Sequence, residues 1–378
     1  MNVAAGPHLA AAVTNAGGLG VLGGISYTPD MLREQIEELK SHLINKNAPF
    51  GVDLLLPQVG GNARKTKYVH KHKISIHWRP RETNRPSFYS YDYTKGKLDQ
   101  LIDIIIESGA KLFVSAVGVP PRHVVEKLHK NGIVYMNMVG HPKHVKKCLD
   151  LGVDIICAQG GEGGGHTGDV PTTVLIPACV KECQGAISPL TGKPVQVVAA
   201  GGIHNGQLLA ASIMMGATGV WVGTRFILSN EAGASEAHKE AVKTASYTDT
   251  IRTLIFTGRP LRVRKNPYIM NWEEERAQEI KELTSQGKLP YEADLDKLMA
   301  GNEETTQKFQ EAAKALTGTS EEADIDDLLD QFQPFLMGKC AAMVNEKKSA
   351  KEIVDEYVND AVAEINRATK MVATASKL

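Results

Sequence analysis

A glycine-rich loop around a single histidine carries the clearest chemical signal in the sequence. The stretch Gln159–Asp169 reads QGGEGGGHTGD and follows Ile155–Ala158, an apolar run typical of a buried strand. Glycines let the backbone approach a flat ligand closely, and their N–H groups can donate hydrogen bonds to it. A lone histidine in a loop is usually a solvated side chain. Held by this glycine run at a strand end, His166 is instead interpreted as a functional residue.

Two further glycine loops follow the next two apolar runs. Val195–Ala199 leads into Ala200-Gly201-Gly202-Ile203, and Gly219–Val222 leads into Gly223-Thr224-Arg225-Phe226. In a parallel β/α barrel the loops after the seventh and eighth strands form a phosphate site. Backbone amides there can hold a phosphate without a lysine. Either loop alone is compatible with a simple tight turn, but at this spacing the pair predicts a phosphate cradle.

The elements that would position these loops are short apolar strands that alternate with amphipathic helices. That alternation predicts an α/β protein with a TIM-type (β/α)8 barrel. Seven strands are found where a closed barrel needs eight, and the chain opens directly into a helix, His8–Ala16. We therefore expect the first strand to be missing, through truncation or a misassigned start codon. The predicted strands are Gly20–Leu22, Phe50–Leu54, Leu112–Ser115, Val134–Met138, Ile155–Ala158, Val195–Ala199 and Gly219–Val222.

The predicted barrel, residues 1–226, is interrupted by a basic and aromatic stretch at 67–90. Arginines, lysines and aromatic residues interleave there, as they do in loops that bind anions or nucleic acid. The stretch has neither helical nor strand periodicity, however. We therefore favour an insertion without a secondary-structure pattern, for example intron sequence retained in the gene model. The formal net charge of the chain is zero, so nothing global recruits nucleic acid or an anionic membrane.

After Phe226 the pattern becomes helical and charged. Residues 227–300 are predicted to form a helical cap over the barrel, with helices at His238–Phe256 and Glu273–Gln286. Residues 301–324 are polar and are expected to form a linker. Residues 325–378 are predicted to form C-terminal helices and a targeting tail.

The cysteines and the chain ends indicate the compartment. None of the five cysteines forms a C-x-x-C pair and no histidine cluster has zinc spacing, so we expect buried thiols, a reducing compartment and no metal. No apolar run is long enough to span a membrane, and the N-terminus does not resemble a signal peptide. The chain ends in Ser376-Lys377-Leu378, which is the address read by the peroxisomal import receptor, although a chance match is the alternative.

Three segments together resemble signature sequences of the nitronate monooxygenases, once called 2-nitropropane dioxygenases. They are GGEGGGHTGDVPTTVLIPA, VVAAGGIHNG and GATGVWVGTRF, and the similarity, to FMN-dependent and fungal-like members, extends from Met1 to about Arg264. The resemblance implies that FMN is the cofactor and that His166 is the catalytic base. The family's flavin-binding positions match these residues: Met1, Asp53, Gln159, Gly165, Ala200, Gly201, Gly202, Gly223 and Thr224.

Three positions depart from the family pattern. The family begins with a strand that ends in a Pro-Met pair, and here Met1 has no strand before it. Asp53 stands where some members carry Asn. Lys339 stands where the family often has Gln, so no role is carried over to Gln333–Ala341.

The resemblance also implies a reaction. FMN would oxidise an alkyl nitronate or nitroalkane with O2, yielding a carbonyl compound and nitrite, and a peroxisome would suit such chemistry because catalase removes its by-products. A neutral nitroalkane needs a base for its α-proton, so we expect His166 to titrate near neutrality.

Three alternatives remain. A flavin-dependent enoyl reductase shares the histidine-bearing loop but consumes NAD(P)H. An IMP-dehydrogenase-like enzyme shares the phosphate loops but needs a nucleophilic cysteine where this chain has His166. The chain could also be an inactive flavin-binding barrel or scaffold, given its missing strand.

Overall fold

The computed structural model describes residues 3–56, 92–317 and 332–375 of the chain. Met1, the predicted insertion at 67–90 and the tail Ser376-Lys377-Leu378 lie outside the described residues. Within the described part, no helix combines the length and the apolar character needed to cross a membrane.

Seven parallel strands form the central sheet, each beside its neighbour along the chain. They are rich in β-branched and other apolar residues and are mostly buried, as expected for a sheet covered on both faces. In the described residues the first and last of these strands each pair on one side only, so the curled sheet is open between them. The strands are β1 (Val21–Gly23), β2 (Gly51–Leu55), β3 (Leu112–Ala116), β4 (Val134–Val139), β5 (Ile155–Gln159), β7 (Gln196–Ala200) and β8 (Gly219–Trp221).

All seven predicted strands are therefore confirmed, together with the prediction of an α/β barrel-type fold. The outer layer consists of amphipathic helices that bury one face on the sheet. Its members are α1 (Pro7–Asn15), α2 (Pro29–His42), α3 (Leu98–Glu107), α4 (Arg122–Lys130), α5 (Val145–Leu151), α6 (Thr172–Glu182) and α7 (Gly206–Met214).

A long C-terminal helix, Ala350–Ala375, completes this layer. It packs against both α7 and α1, beside the place where the sheet is open. The packing is close, because a Cβ atom at Gly206 would lie 2.6 Å from the Tyr357 carbonyl oxygen. Ile353 and Tyr357 are buried against Leu9 and Ile203 in one apolar cluster.

A second apolar core lies in the cap. Its aromatic centre is built from Tyr268, Trp272, Phe309 and Phe332, all buried. The cap helices are α8 (Thr224–Ile227), α9 (Glu236–Lys243), α10 (Pro267–Glu274), α11 (Ala277–Ser285), α12 (Pro290–Met299) and α13 (Glu303–Thr317). The C-terminal helix Ala350–Ala375 is called α14 below.

The cap also contains a small antiparallel sheet, which the sequence analysis missed. Its strands are β6 (Gly165–His166), β10 (Leu261–Arg264) and β9 (Thr250–Thr253), in that order. The predicted helix His238–Phe256 is wrong, because helix α9 ends at Lys243 and a turn closed by Ser246 and Asp249 leads into β9. The run Thr-Ile-Arg-Thr in β9 is rich in β-branched residues, which favour a strand.

Two other predictions in this region also change. The predicted helix Glu273–Gln286 is split between α10 and α11, because Arg276 turns inward to bind the buried Asp294 with nitrogen–oxygen distances of 2.7 and 2.9 Å. The predicted linker 301–324 forms α13 as far as Thr317. Its polar composition hid Phe309, a buried residue of the cap core that anchors the helix.

Candidate active site

The glycine loop after β5 is required by backbones that pass too close for side chains. A Cβ atom at Gly160 would overlap Thr172 at the start of α6, and one at Gly168 would overlap the carbonyl group of Gly140 after β4. Gly165 has a φ of +68°, in the left-handed region that glycine tolerates. The loop therefore folds back tightly at the carboxyl end of the sheet, the end where barrel enzymes carry their active sites.

His166 lies at the end of this loop and is held by three contacts. In β6 it pairs with Leu261 of the cap strand β10. Its carbonyl oxygen accepts a hydrogen bond of 2.9 Å from the Gln159 side-chain amide. Its ring Nε2 lies 3.1 Å from the Thr257 hydroxyl. Barrel and cap together fix the backbone and the ring.

The environment of His166 keeps its ring neutral. Burial, with a smaller contribution from the positive charge of Arg259, lowers the pKa of the imidazole from 6.5 to about 4. The expectation that His166 titrates near neutrality is therefore wrong, because the buried site disfavours the charged form. At neutral pH the ring can accept a proton, but its basicity is weak.

The turn after β9 holds the hydroxyl that contacts the His166 ring. The Thr257 hydroxyl lies 3.3 Å from the Arg259 carbonyl oxygen and accepts from the Arg259 backbone N–H at 3.4 Å. The same hydroxyl meets His166 Nε2, and the ring tautomer decides which of the two donates.

The two glycine loops predicted to form a phosphate cradle follow β7 and β8. Gly201 and Gly202 have φ values of +87° and +79°, and a Cβ atom at Gly201 would lie 2.7 Å from the Gly160 carbonyl oxygen. Strands β7 and β8 pair through Ala200 and Trp221, so the loops that follow them are neighbours. This turn must be glycine because the backbone of Gly160 occupies the space that a side chain at Gly201 would need.

A segment between the cap and α14 closes the cradle. The Gly338 backbone N–H donates to the Thr224 hydroxyl at 2.9 Å, and the Lys339 N–H donates to the Glu162 carbonyl oxygen at 2.9 Å. Burial raises the pKa of the nearby Cys340 thiol to about 11, against a hydrogen bond from Thr224 that lowers it. The segment therefore joins the loop after β5 to the loop after β8.

Asp53 provides a buried charge in the barrel interior. It lies on β2 between Gly23 of β1 and Val114 of β3 and is 5% exposed. Burial raises the pKa of its carboxyl group to about 6. Its Oδ1 atom has no hydrogen-bond partner among the described residues. A buried carboxyl oxygen of this kind calls for a polar partner that the described residues do not supply.

Comparisons with known proteins identify this arrangement. The family profile of the nitronate monooxygenases matches residues 1–360. A Staphylococcus saprophyticus protein assigned as a nitronate monooxygenase is 31% identical over 287 residues, which cover 71% of this chain and 74% of that one. The chain belongs to the nitronate monooxygenase family.

A further relative carries the same assignment, and two solved structures share the fold. A Bacillus subtilis protein with the same assignment is 29% identical over 339 residues, covering 86% of this chain and 91% of that one. FabK from Thermotoga maritima and nitroalkane oxidase from Streptomyces ansochromogenes share the fold, each with a TM-score of 0.67. Their sequence identities to this chain are 24% and 22%. The FabK alignment covers 98% of this chain and 93% of FabK, and the alignment with the oxidase covers 97% of this chain and 94% of the oxidase. The chain is thus a nitronate monooxygenase-like flavin oxidoreductase.

A flavin fits the site of this nitronate monooxygenase family member on two structural observations. The unpartnered oxygen of Asp53 can meet a polar group of the ring system. The turn at Gly201 and Gly202 excludes side chains and can hold a phosphate with Gly223 and Thr224. Gln159 stands at the same strand end, although one of its amide hydrogens is used within the protein. Met1 lies outside the described residues, so its predicted flavin contact stays a prediction.

The sequence analysis missed Thr257, Arg259 and Gly338. The first two act on His166 from the cap, and their one sequence signal is the turn Thr257-Gly258-Arg259-Pro260. For Gly338 the sequence offers one indication, because a glycine within an otherwise apolar stretch predicts that another part of the chain approaches its backbone closely.

Proposed function

We propose that the protein uses FMN to oxidise alkyl nitronates with O2, giving a carbonyl compound and nitrite. Two nitronate anions and one O2 yield two carbonyl groups and two nitrite anions, which balances atoms and charge. The observation that carries the proposal is a neutral His166, fixed by barrel and cap, with the cation Arg259 beside it. Family membership supports the reaction class.

The charges around His166 suit an anionic substrate. The positive charge of Arg259 acts on the His166 ring and also on the Tyr93 hydroxyl. A nitronate carries its charge on the nitro oxygens and is attracted to positive charge. A neutral imidazole adds no competing charge and can orient the anion.

The low pKa of His166 favours nitronates over neutral nitroalkanes. A nitronate has already lost its α-proton, so His166 need only position it. A nitroalkane must give that proton to a ring whose pKa is lowered to about 4, which leaves little driving force for the transfer. We therefore expect both substrates to be used, with nitronate the better one.

The bound FMN would accept electrons from the substrate and pass them to O2. The protein's contribution is to hold the phosphate on the backbone at Gly201, Gly202 and Gly223, and the ring near Asp53. The resemblance of the loop sequences to those of FMN-dependent family members is the reason to propose FMN among the flavins. Release of the flavin by denaturation, followed by chromatography against FMN and FAD, tests this part.

A second candidate is oxidation or reduction next to the carbonyl of a CoA thioester. An octahydro-indene-carboxyl-CoA dehydrogenase of Mycobacterium tuberculosis is 27% identical over 383 residues, which cover 98% of this chain and 94% of that one. Proton transfer at an α-carbon by His166 would serve this reaction too. An enoyl reductase that uses NAD(P)H is the related possibility.

Anaerobic reduction of the bound flavin separates these candidates. Mixing with propyl nitronate is expected to bleach the flavin absorbance within the turnover time, and NADPH is expected to leave it unchanged. Oxygen uptake and nitrite release then follow under air. Rapid bleaching by NADPH or by an acyl-CoA, with none by nitronate, would establish the alternative. A protein that holds flavin and reacts with none of them would be an inactive flavin-binding barrel.

For localisation we propose import into peroxisomes through Ser376-Lys377-Leu378. The test is microscopy of the chain with a fluorescent protein fused at its N-terminus. Punctate fluorescence that overlaps a peroxisomal marker is expected, and deletion of the three residues should make it diffuse. Diffuse fluorescence of the intact fusion would contradict the proposal.

A further inference from the structure

Three side chains that can bind a metal ion meet on the surface between α1 and α2. His8 belongs to α1, whereas Glu38 and His42 lie one turn apart on α2. His8 Nε2 is 3.0 Å from Glu38 Oε1, and the two imidazole rings are 4.2 Å apart between centroids. One donor atom from each side chain lies within 4.8 Å of the other two. Among the described residues, no other group of three His, Cys, Asp or Glu side chains brings its donor atoms within this distance of one another.

The distances are close to those that a bound metal requires. In a tetrahedral Zn²⁺ site with bonds of about 2.0–2.1 Å, two donor atoms are about 3.3 Å apart. His8 and Glu38 already meet that spacing at 3.0 Å, and small side-chain rotations bring His42 into range. The side chains of His8 and Glu38 are 57% and 41% exposed, so these rotations do not disturb the core.

The carboxylate of the group is held in a suitable orientation. The Gln35 amide donates to Glu38 Oε2 at 3.3 Å, which leaves Oε1 directed at His8. The Gln35 carbonyl oxygen accepts from the Tyr27 hydroxyl at 3.4 Å. Contacts of this kind fix a ligand before the ion arrives, and their loss typically costs about 10–100-fold in metal affinity.

We propose that His8, Glu38 and His42 bind a divalent transition-metal ion of the Zn²⁺ type, with water completing the coordination. Two imidazoles and one carboxylate form a ligand set that Zn²⁺ accepts readily. The ion would join α1 to α2 on the outside of the barrel. Because α1 leads into β1, a strand that pairs on one side only within the described residues, the ion would stabilise that edge of the sheet.

The test is calorimetric titration of the full-length, flavin-loaded protein, without an affinity tag, with ZnCl2. One Zn²⁺ per chain is expected. The variants His42→Ala and Glu38→Gln are each expected to bind at least about tenfold more weakly, since a ligand should matter no less than the residue that orients it. Both positions are on the surface, and circular dichroism confirms that each variant is folded.

A matched control comes from a second exposed His–carboxylate pair. His123 Nε2 is 3.0 Å from Asp99 Oδ1, but no third ligand in the described residues joins them. His123→Ala should therefore leave Zn²⁺ affinity unchanged. Hydrogen exchange gives a second measurement, because Zn²⁺ should slow exchange in α1 of the wild type and not of His42→Ala. The proposal is overturned if the wild type shows no saturable binding, or if the ligand variants bind as tightly as the wild type.

Discussion

Replacement of His166 by Asn is expected to make the protein less sensitive to acid. In the folded state burial lowers the pKa of His166 to about 4, whereas an unfolded chain has the ordinary value of 6.5. Below pH 6.5 the unfolded chain gains a proton that the folded protein does not, so stability falls as pH falls toward 4. At 1.36 kcal/mol per pKa unit, the full loss is about 3 kcal/mol. About 2.5 kcal/mol of it has been lost at pH 4.5.

Urea unfolding at pH 7.5 and pH 4.5 measures this loss. Between the two pH values the free energy of unfolding of the wild type falls through His166 and through all other titrating groups. That of His166→Asn should fall by about 2.5 kcal/mol less, because the His166 contribution is gone. Equal acid sensitivity of wild type and His166→Asn would refute the assignment of a buried neutral imidazole. The same variant should turn over neutral nitroalkane about 10²–10⁴-fold more slowly, while nitronate turnover falls far less.

Three further changes test other parts of the site. Thr257→Val removes the hydroxyl that contacts His166 and should lower kcat/KM for nitroalkane about five- to tenfold, as expected for one hydrogen bond of about 1 kcal/mol; an unchanged value would dismiss its positioning role. Gly201→Ala forces a Cβ atom into a left-handed turn and should give protein without flavin by absorbance, whereas Gly192→Ala, also at positive φ but in open space, should keep its flavin. Arg259→Ala should raise the KM for nitronate about tenfold and Arg259→Lys much less, because charge is what attracts the anion; similar KM values for the two variants would speak against this.

The barrel could be predicted from sequence because its strands are buried on both faces. Such strands appear as unbroken apolar runs, as in Ile155–Ala158, and the glycine loops after them are distinctive. Strand β9 could not be found in this way. It is half-buried and short, and it follows a helix whose periodicity seemed to continue through it.

The properties of the site were less accessible than its location. Thr257 contacts His166 across 91 residues of sequence, and no local pattern links a cap turn to a barrel loop. The low pKa of His166 depends on how completely the cap buries the ring, which is a property of the packed structure. His8 likewise meets Glu38 and His42 only because α1 packs on α2.

The position of α14 has a consequence for biosynthesis. Leu9 on α1 is buried by Ile353 and Tyr357, so it stays uncovered until these much later residues of the chain have been made. While the ribosome is still translating, the barrel shows a strip of apolar surface and an open sheet edge, both of which invite aggregation. A nascent chain that stalls before Ala350 would therefore need a chaperone, and premature stop codons in the last helix should yield insoluble protein even though every residue of the active site has been made.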